Sequence, residues 1–222
     1  MGSIGSINRF TSCKATATSP ARQPFTLSNG IKVLCDTRTD GGDWFIIQRR
    51  TKGDVDFYRG WTEYVAGFGD IDGDYWLGLQ DIHTLCPTAK PCTLRVDVKD
   101  DQYNNGSLLS AQYTDFSLSG FTDNYRLTIG LYNGTVSDSL RYHNKQPFST
   151  FDRDNDDTDY NCAFHVHGGW WYKSCFQSNL NGPWADRGNG DGRMMGWGPS
   201  WNTGYYHYLH ATYSEMKVRV QS

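Results

Sequence analysis

An acidic segment at residues 152–159 constrains this chain more than any other stretch, because it concentrates five aspartates within eight positions. Two like charges that lie 4 Å apart repel by about 1 kcal/mol even in bulk water, and by more where solvent is excluded. A folded loop that holds these charges therefore requires a bound cation, or it stays a solvated acidic surface loop. We favour the cation and keep the solvated loop as the alternative.

Ca²⁺ is the cation that suits this segment, since oxygen atoms would supply all of its ligands. Ca²⁺ accepts irregular geometry and a mixture of carboxylates, backbone carbonyls and waters more readily than Mg²⁺ does. The segment is not an EF-hand. Counting from Asp152, the sixth position is Asp157 instead of glycine and the twelfth is Ala163 instead of glutamate.

Six cysteines form an even set, which favours disulfides. The sequence alone allows 15 connectivities, and the absence of a C-x-x-C pair disfavours zinc. Two N-glycosylation sequons begin at Asn105 and Asn133 and agree with an oxidising, extracellular setting. By proximity along the chain, the expected pairs are Cys13 with Cys35, Cys86 with Cys92, and Cys162 with Cys175.

The composition excludes several classes of protein. The 222 residues, 37% of them hydrophobic and 15% aromatic, suffice for a substantial core. A net charge of -3 without any basic run argues against nucleic acid as a partner. No apolar run reaches the roughly 18 residues that span a bilayer, so we expect no membrane insertion. The sequence has no nucleophile elbow, P-loop, H-E-x-x-H or dinucleotide motif, so we expect no enzyme.

Residues 1–12 lack the basic start and apolar middle of a signal peptide. We expect them to be an N-terminal segment or an expression remnant that lies outside a single domain at residues 13–222. We also expect that a native leader or upstream region has been cut away.

Residue alternation predicts most of the regular structure in the first half of the chain. β-branched and aromatic residues alternate at 31–35, 44–49, 93–98 and 125–129, which predicts half-buried strands. Apolar residues recur at three and four positions at 61–66 and 77–85, which predicts short helices. From Asn133 to about Tyr208 there is little periodicity, which indicates either regular elements that the pattern does not reveal or a ligand-bearing region pinned by metal and disulfide.

A series of spaced motifs runs in order from about Cys13 to Val220: CDTRTDGGDW at 35–44, QRR at 48–50, FYRGW at 57–61, YWLGL at 75–79, TLRV at 93–96, FST at 148–150, NCA at 161–163, GWW at 169–171, NLNG at 179–182 and SEMKVR at 214–219. Together they resemble the fibrinogen C-terminal domain family. The resemblance implies a single α+β domain with a small disulfide-bearing N-terminal piece and a central twisted antiparallel sheet with short helices. It also implies a loop-rich C-terminal piece that carries calcium and a ligand pocket.

The resemblance implies a specific set of calcium ligands. They are the carboxylates of Asp154 and Asp156 and the backbone carbonyls of Thr158 and Tyr160, with water completing the coordination. In an extended loop, alternate residues point to one side, which agrees with this set. The remaining aspartates are then expected to lie further from the ion or to face solvent; they are Asp152, Asp157 and Asp159.

The resemblance also implies a pocket next to the calcium loop that takes the acetyl group of an acetylated sugar. An apolar funnel suits the methyl group, and fixed polar partners suit the amide. The family's non-proline cis peptide would join Ser174 to Cys175. Position 176 is Phe where lectin and fibrinogen members commonly have His, so an apolar wall replaces a polar contact. The expected ligand-binding residues are His165, Ser174, Cys175, Phe176, Met194, Met195, Trp197, Tyr205, Tyr206 and Tyr208.

Alternatives to this assignment stay open. Roughly half of the pocket aromatics would be core residues on ordinary burial preferences. His165 and His167 would share one face of a strand, but two histidines without a third ligand make a poor zinc site. Arg187 and Arg193 could meet the carboxylate of an acidic sugar, although surface arginine is the commoner explanation.

The favoured function is a secreted lectin of innate immunity, similar to invertebrate lectins of this fold. It would recognise sialic acid, N-acetylglucosamine or N-acetylgalactosamine on glycans or glycoproteins, with Ca²⁺ as cofactor and a homo-oligomer supplying avidity. The alternative is a protein- or peptide-docking module of the fibrinogen, angiopoietin or tenascin type. Capture of a peptide amino terminus would call for an acidic group after Cys162, where this chain has Val166.

Overall fold

The architecture is mixed α+β and mostly sheet, as predicted, in a computed structural model that describes residues 13, 20–102, 104–184, 200–202 and 208–220. Within these residues a ten-stranded antiparallel sheet carries short helices, and a separate three-stranded sheet lies near the C-terminus. The strands are β1 (Arg22–Thr26), β2 (Lys32–Asp36), β3 (Trp44–Arg50), β4 (Phe68–Gly69), β5 (Tyr75–Trp76), β6 (Cys92–Lys99), β7 (Leu109–Leu118), β8 (Leu127–Thr128), β9 (Tyr132–Gly134), β10 (Ser178–Asn179), β11 (Ser200–Asn202), β12 (Tyr208–His210) and β13 (Tyr213–Val220).

The last strand of the chain occupies the middle of the large sheet. Its main path runs β1-β2-β3-β13-β6-β7-β8, with β4, β5 and β9 attached at its margins. β13 pairs antiparallel with β3 on one side and with β6 on the other, placing Met216 opposite Gln48 and Val96. Because its partners come from the first half of the chain, the sheet closes only when the C-terminal strand is inserted.

In the described ranges, three short α-helices and four 3₁₀ turns connect these strands. The α-helices are α1 (Trp61–Ala66), α2 (Leu79–Leu85) and α3 (Cys162–Val166), and the 3₁₀ turns are Thr39–Gly41, Asn104–Gly106, Phe121–Asp123 and Leu140–His143. α1 ends at Gly67, whose φ is +90°, and a Cβ there would lie 2.4 Å from the carbonyl oxygen of Leu77. The tight return from α1 toward β5 therefore requires glycine at this position.

The C-terminal loops are anchored to the sheet by buried aromatic rings. The rings of Trp76 and Phe148 both contact that of Trp171, with centroids 6.3 Å and 5.2 Å away. The indole nitrogen of Trp171 donates to the carbonyl of Tyr125 at 2.9 Å. These large side chains fix the region that follows them, although it has little regular structure.

The structure confirms most of the predicted elements and corrects two of them. The strands expected at 31–35, 44–49 and 93–98 and the helix at 61–66 are present. The strand expected at 125–129 shrinks to Leu127–Thr128, because Tyr125 has a left-handed φ of +50° that ends extended backbone. The helix expected at 77–85 begins at Leu79, because Leu77 still bonds to the sheet through the carbonyl of Ile47.

The three expected disulfides are present, joining Cys13 to Cys35, Cys86 to Cys92, and Cys162 to Cys175. Within the described residues, no helix combines the length and the apolar character that crossing a membrane demands.

Candidate functional site

The acidic segment is anchored at its beginning by hydrogen bonds to the rest of the fold. Asp152 accepts a hydrogen bond from the backbone amide of Trp61 at 2.9 Å, which satisfies a free donor at the start of α1. Its carboxylate also accepts from the hydroxyl of Thr150 at 2.7 Å. Asn155 donates its side-chain amide to the carbonyl of Phe148 at 2.7 Å. Asp152 is therefore a structural residue that joins the loop to a helix.

The carboxylate of Asp156 organises the middle of the loop. It accepts from the amide and hydroxyl of Thr158, both at 2.9 Å, and from the amide of Cys162 at 2.9 Å. Burial raises the pKa of Asp156, and the nearby charge of Asp154 raises it further, although these hydrogen bonds act in the opposite direction. The two carboxylates are thus close enough to repel one another.

The expected calcium ligands fit the ion by their chemistry. Asp154 and Asp156 supply carboxylate oxygens, and Thr158 and Tyr160 add backbone carbonyls. The hydroxyl of Thr158 lies between the carboxylate of Asp156 and the carbonyl of Tyr160 and can donate its single proton to only one of them at a time. Within the described part of the chain, no lysine or arginine forms an ion pair with an aspartate at 154–159.

Side chains alone do not make a metal site here. The described residues contain no group of three or more histidine, cysteine, aspartate or glutamate side chains arranged to hold an ion. Any cation at this loop therefore depends on the backbone carbonyls and on water, as hard oxygen-seeking ions allow.

A disulfide corner adjoins the acidic loop. α3 begins at Cys162, and Asn161 caps it by accepting from the amide of Phe164 at 2.9 Å. The amide of Asp157 donates to the carbonyl of Lys173 at 3.1 Å, which ties the acidic loop to the segment ahead of Cys175. The Cys162–Cys175 bond closes the same corner covalently.

Three aromatic rings lie on the outer side of this corner. Tyr160 is 51% exposed and Phe164 is 55% exposed, although both are large and partly apolar. The ring of His165 contacts both edge-on, with centroid distances of 5.2 Å and 5.6 Å. The hydroxyl of Tyr160 lies 3.8 Å from the sulfur of Cys175. Tyr160, Phe164 and His165 form what we call the aromatic triad, a surface that combines apolar faces with polar edges.

A buried histidine beneath the corner was missed in the sequence. His143 is fully buried, and its Nδ1 donates to the carbonyl of Trp171 at 2.8 Å. Its Nε2 accepts from the amides of Gln177 and Ser178, both at 3.1 Å. These bonds require the neutral ring, and burial lowers the pKa of His143 to about 4. His143 thereby holds both ends of the segment that contains Cys175.

The neighbouring Tyr142 was missed as well. Its hydroxyl donates to the carbonyl of Ser174 at 2.9 Å, and the ammonium of Lys173 lies 5.5 Å from its ring. Tyr142 and His143 lie in one 3₁₀ turn, and their hydrogen-bond partners Ser174 and Trp171 are 32 and 28 residues away in sequence. No local sequence pattern therefore predicts their role. The one sequence signal at this place is that Tyr142 and His143 are adjacent aromatic residues with polar atoms.

Two expectations for the pocket are wrong. The described residues contain no cis peptide bond, so the Ser174–Cys175 bond is trans. A non-proline cis bond costs about 3–4 kcal/mol, and Ser174 is exposed, without the close surroundings that would hold one. His165 and His167 do not share a strand face: His165 lies in α3 and His167 follows it with a left-handed φ of +51°. His167 contacts the ring of Tyr58, which leaves the two-histidine metal site without support.

The remaining expected pocket residues divide between core and undescribed chain. Phe176 is partly buried against the hydrophobic core. Val166, where an acidic group was considered, is 6% exposed and faces the core, so this position has no bearing on peptide capture. The side chain of Tyr208 lies outside the described structure, although its backbone belongs to β12. The other expected residues that fall outside the described residues are Met194, Met195, Trp197, Tyr205, Tyr206, Arg187 and Arg193.

Comparison with known proteins assigns this architecture to a large group. The family model of the C-terminal globular domain of fibrinogen beta and gamma chains matches residues 13–221. Human tenascin-R is 42% identical over 193 residues, which cover 87% of this chain and 13% of tenascin-R. Human ficolin-3 is 45% identical over 156 residues, which cover 70% of this chain and 51% of ficolin-3. The chain thus spans about half of ficolin-3 and about an eighth of tenascin-R.

A solved structure agrees with these sequence matches. The fibrinogen-like globe domain of human ANGPTL6 superimposes with a TM-score of 0.81 at 39% identity, covering 90% of each chain. The likeness therefore extends over most of both chains.

Proposed function

We propose, given that this chain belongs to the fibrinogen C-terminal globular domain family, that it is a secreted lectin for N-acetylated glycans. Its pocket would lie beside a calcium site at the acidic loop. Sialic acid, N-acetylglucosamine and N-acetylgalactosamine are the candidate sugars, and innate immune recognition is the corresponding role.

The observation that carries this proposal is the exposed aromatic triad of Tyr160, Phe164 and His165 beside a disulfide. Sugar C–H groups and an acetyl methyl gain from contact with aromatic faces, and sugar hydroxyls and amides need nearby polar groups. The triad offers both, because His165 and the Tyr160 hydroxyl carry polar atoms at its edges. Rings that are half exposed cost little to desolvate when a ligand covers them.

Calcium would give this surface its rigidity. The ion would be held by Asp154, Asp156 and the carbonyls of Thr158 and Tyr160, and it would neutralise the repulsion between the two carboxylates. The carbonyl of Tyr160 belongs to the same residue as one ring of the triad. A bound ion would therefore orient that ring through its own backbone.

Secretion is supported by three disulfides, which persist in oxidising compartments. Single sugar sites of this shallow kind bind weakly, so several copies in a homo-oligomer would supply avidity. Similarity to ficolin-3 favours the glycan-binding branch of the family. That the domain is not an enzyme stays a prediction.

A glycan array in calcium, and then in chelator, tests the proposal. We expect signal on N-acetylated sugars that chelation removes. Phe164→Ala should weaken binding about fivefold, which corresponds to about 1 kcal/mol. Leu108→Ala is the matched control, since Leu108 and Phe164 are both 55% exposed and Leu108 precedes β7, outside the corner. An array without sugar-dependent signal would reject the lectin.

A protein-docking module is the second candidate. Similarity to tenascin-R over 87% of this chain supports it, and so does the triad, because exposed aromatic residues are also typical of protein interfaces. The lack of an acidic group at position 166 no longer argues against it, since Val166 faces the core. A docking module would bind a protein partner equally well after that partner's glycans had been removed.

A further inference from the structure

The free edge of the large sheet is the most exposed apolar feature outside the candidate site. β9 pairs with β7 on one side, and no described strand pairs with its other side. Leu131, immediately before β9, is 78% exposed, the highest value for a large hydrophobic residue in the described chain. An unprotected strand edge next to an apolar side chain invites pairing with another copy, and proteins normally cover such edges.

A sequon lies within this edge. Asn133 stands opposite Gln112 in the pairing of β9 with β7, while its neighbour Tyr132 stands opposite the buried Tyr113. Because side chains alternate along a strand, Asn133 points to the solvent face. Asn133 is exposed, and its side-chain amide makes no hydrogen bond to another described residue.

The other two positions of the sequon serve the sheet. A Cβ at Gly134 would lie 2.4 Å from the carbonyl oxygen of Ser110, so the close approach of β9 to β7 requires glycine. The hydroxyl of Thr135 accepts from the amide of Ser110 at 2.9 Å. The fold therefore explains Gly134 and Thr135 but gives no task to Asn133.

We propose that Asn133 carries an N-linked oligosaccharide in the secreted protein and that this glycan covers Leu131 and the free edge of β9. The proposal depends on the secreted location proposed above but not on sugar recognition by the aromatic triad. Failure of either can thus be told apart.

The attachment is a glycosyl transfer to the side-chain amide of Asn133. A bond forms between its nitrogen and C1 of the first sugar of a polyisoprenyl diphosphate-linked oligosaccharide. The C1–O bond to the diphosphate breaks, the diphosphate leaves with the electron pair, and the amide nitrogen loses one proton. Because the fold engages the Thr135 hydroxyl, transfer occurs before β9 pairs with β7.

Peptide mass mapping of the full chain secreted from a eukaryotic cell tests the attachment. We expect the peptide that contains Asn133 to carry a glycan, and amidase release to convert the residue to aspartate. Asn133→Gln and Thr135→Ala should each abolish this modification, whereas Asn105→Gln should leave it intact. Secreted protein with unmodified Asn133 overturns the proposal, whether or not Asn105 is occupied.

Light scattering against protein concentration tests the covering role. Enzymatically deglycosylated protein and Asn133→Gln should both self-associate at concentrations where the glycosylated protein stays monodisperse. Adding Leu131→Lys to Asn133→Gln should restore the original behaviour, because an edge lysine opposes pairing. Equal scattering by glycosylated protein and Asn133→Gln would overturn the covering role.

Discussion

The centre of the large sheet and the acidic loop both concentrate carboxylates, but among the described residues only the first pairs them with a lysine or arginine. In the sheet, Lys217 lies 2.7 Å from Asp36, 2.6 Å from Asp97 and 2.9 Å from Glu215, all essentially buried. At the acidic loop, no described lysine or arginine pairs with the aspartates at 154–159. The fold neutralises the first cluster internally, and the described residues provide no such partner for the second.

In the sheet cluster, the opposite charges of Lys217 and its carboxylate partners shift the pKa values of Lys217 and Asp36 so that both stay charged. Burial alone would lower the pKa of Lys217, but Glu215, Asp97 and Asp36 outweigh it, and the pKa rises. The pKa of Asp36 falls despite its burial, chiefly through the hydrogen bond from Lys217. At Asp156 the balance is reversed, since its pKa is raised. The two regions thus differ in that the buried carboxylates of the sheet have an opposite charge beside them, whereas Asp156 has the like charge of Asp154.

The largest expected effect is at the sheet. Lys217→Met leaves three buried carboxylates without their shared partner and should lower the free energy of unfolding by about 3–5 kcal/mol. Lys99→Met is the control, because the pair that Lys99 forms with Asp101 is exposed and worth at most about 1 kcal/mol. Urea unfolding of both variants measures the difference, and equal losses would contradict an internally closed network.

How far the sequence predicts this fold depends on where the partners of each residue lie. β2, β3 and β6 were predicted because alternation is local. β13 was not predicted as a strand, because Glu215 and Lys217 look solvent-facing until Asp36 and Asp97 are brought to them by strands far away in the sequence. A buried charge pair of this kind depends on tertiary contacts alone.

The candidate site divides in the same way. The acidic loop and the cystine between Cys162 and Cys175 could be predicted, since each is a dense local signal. The role of His143 could not, because its partners Trp171 and Gln177 lie 28 and 34 residues further along. The cis peptide failed for another reason: it was inferred from the family alone, and no property of Ser174 or Cys175 required it.

A second prediction removes the covalent closure of the corner. Changing Cys162 and Cys175 together to serine removes the cross-link between residues 13 positions apart. The added chain entropy of the unfolded state should lower the free energy of unfolding by about 3 kcal/mol. It should also weaken sugar binding, since the aromatic triad rests on this disulfide. Changing Cys86 and Cys92 to serine, with a separation of 6, should destabilise by about 2 kcal/mol without changing sugar affinity. Sugar affinity retained after the first change would place the pocket elsewhere.

A third prediction concerns the pH dependence of the corner. The pKa of His143 is about 4 in the folded protein, below its ordinary 6.5, so the unfolded chain takes up the proton first. Its contribution is complete above pH 6.5 and is lost as pH falls toward 4, by about 3 kcal/mol in total. Protonation would also set an N–H against the amides of Gln177 and Ser178.

Chemical unfolding at several pH values checks this. His143→Gln should be less stable than wild type at pH 7. Between pH 6.5 and 4 its stability should fall less steeply than that of wild type, because it lacks the one proton that His143 takes up on unfolding. If both proteins lose stability in parallel over that range, the buried neutral ring is not what makes the corner sensitive to pH.

The smallest and most decisive effect concerns the acidic loop itself. Asp154→Asn should abolish calcium-dependent stabilisation, which amounts to about 2.7 kcal/mol at a calcium concentration a hundredfold above Kd. Asp154 is a cleaner target than Asp156. Among the described residues Asp154 accepts a hydrogen bond only from the amide of Asp156, at 3.2 Å. Asp156 accepts from Thr158 and from Cys162, so a change there would loosen the loop without any ion. Asp159→Asn removes the same charge from an exposed residue that is not an expected ligand, so that variant should keep the response to calcium.

Melting curves in calcium and in chelator then decide what kind of region the loop is. A response that Asp154→Asn removes and Asp159→Asn preserves means that an outside ion does for the loop what Lys217 does for the sheet. If wild type melts identically in both media, no bound calcium stabilises the loop, and solvent and the loop's own hydrogen bonds suffice for its carboxylates. The loop would then need no partner, and the aromatic triad would owe its order to the disulfide and His143.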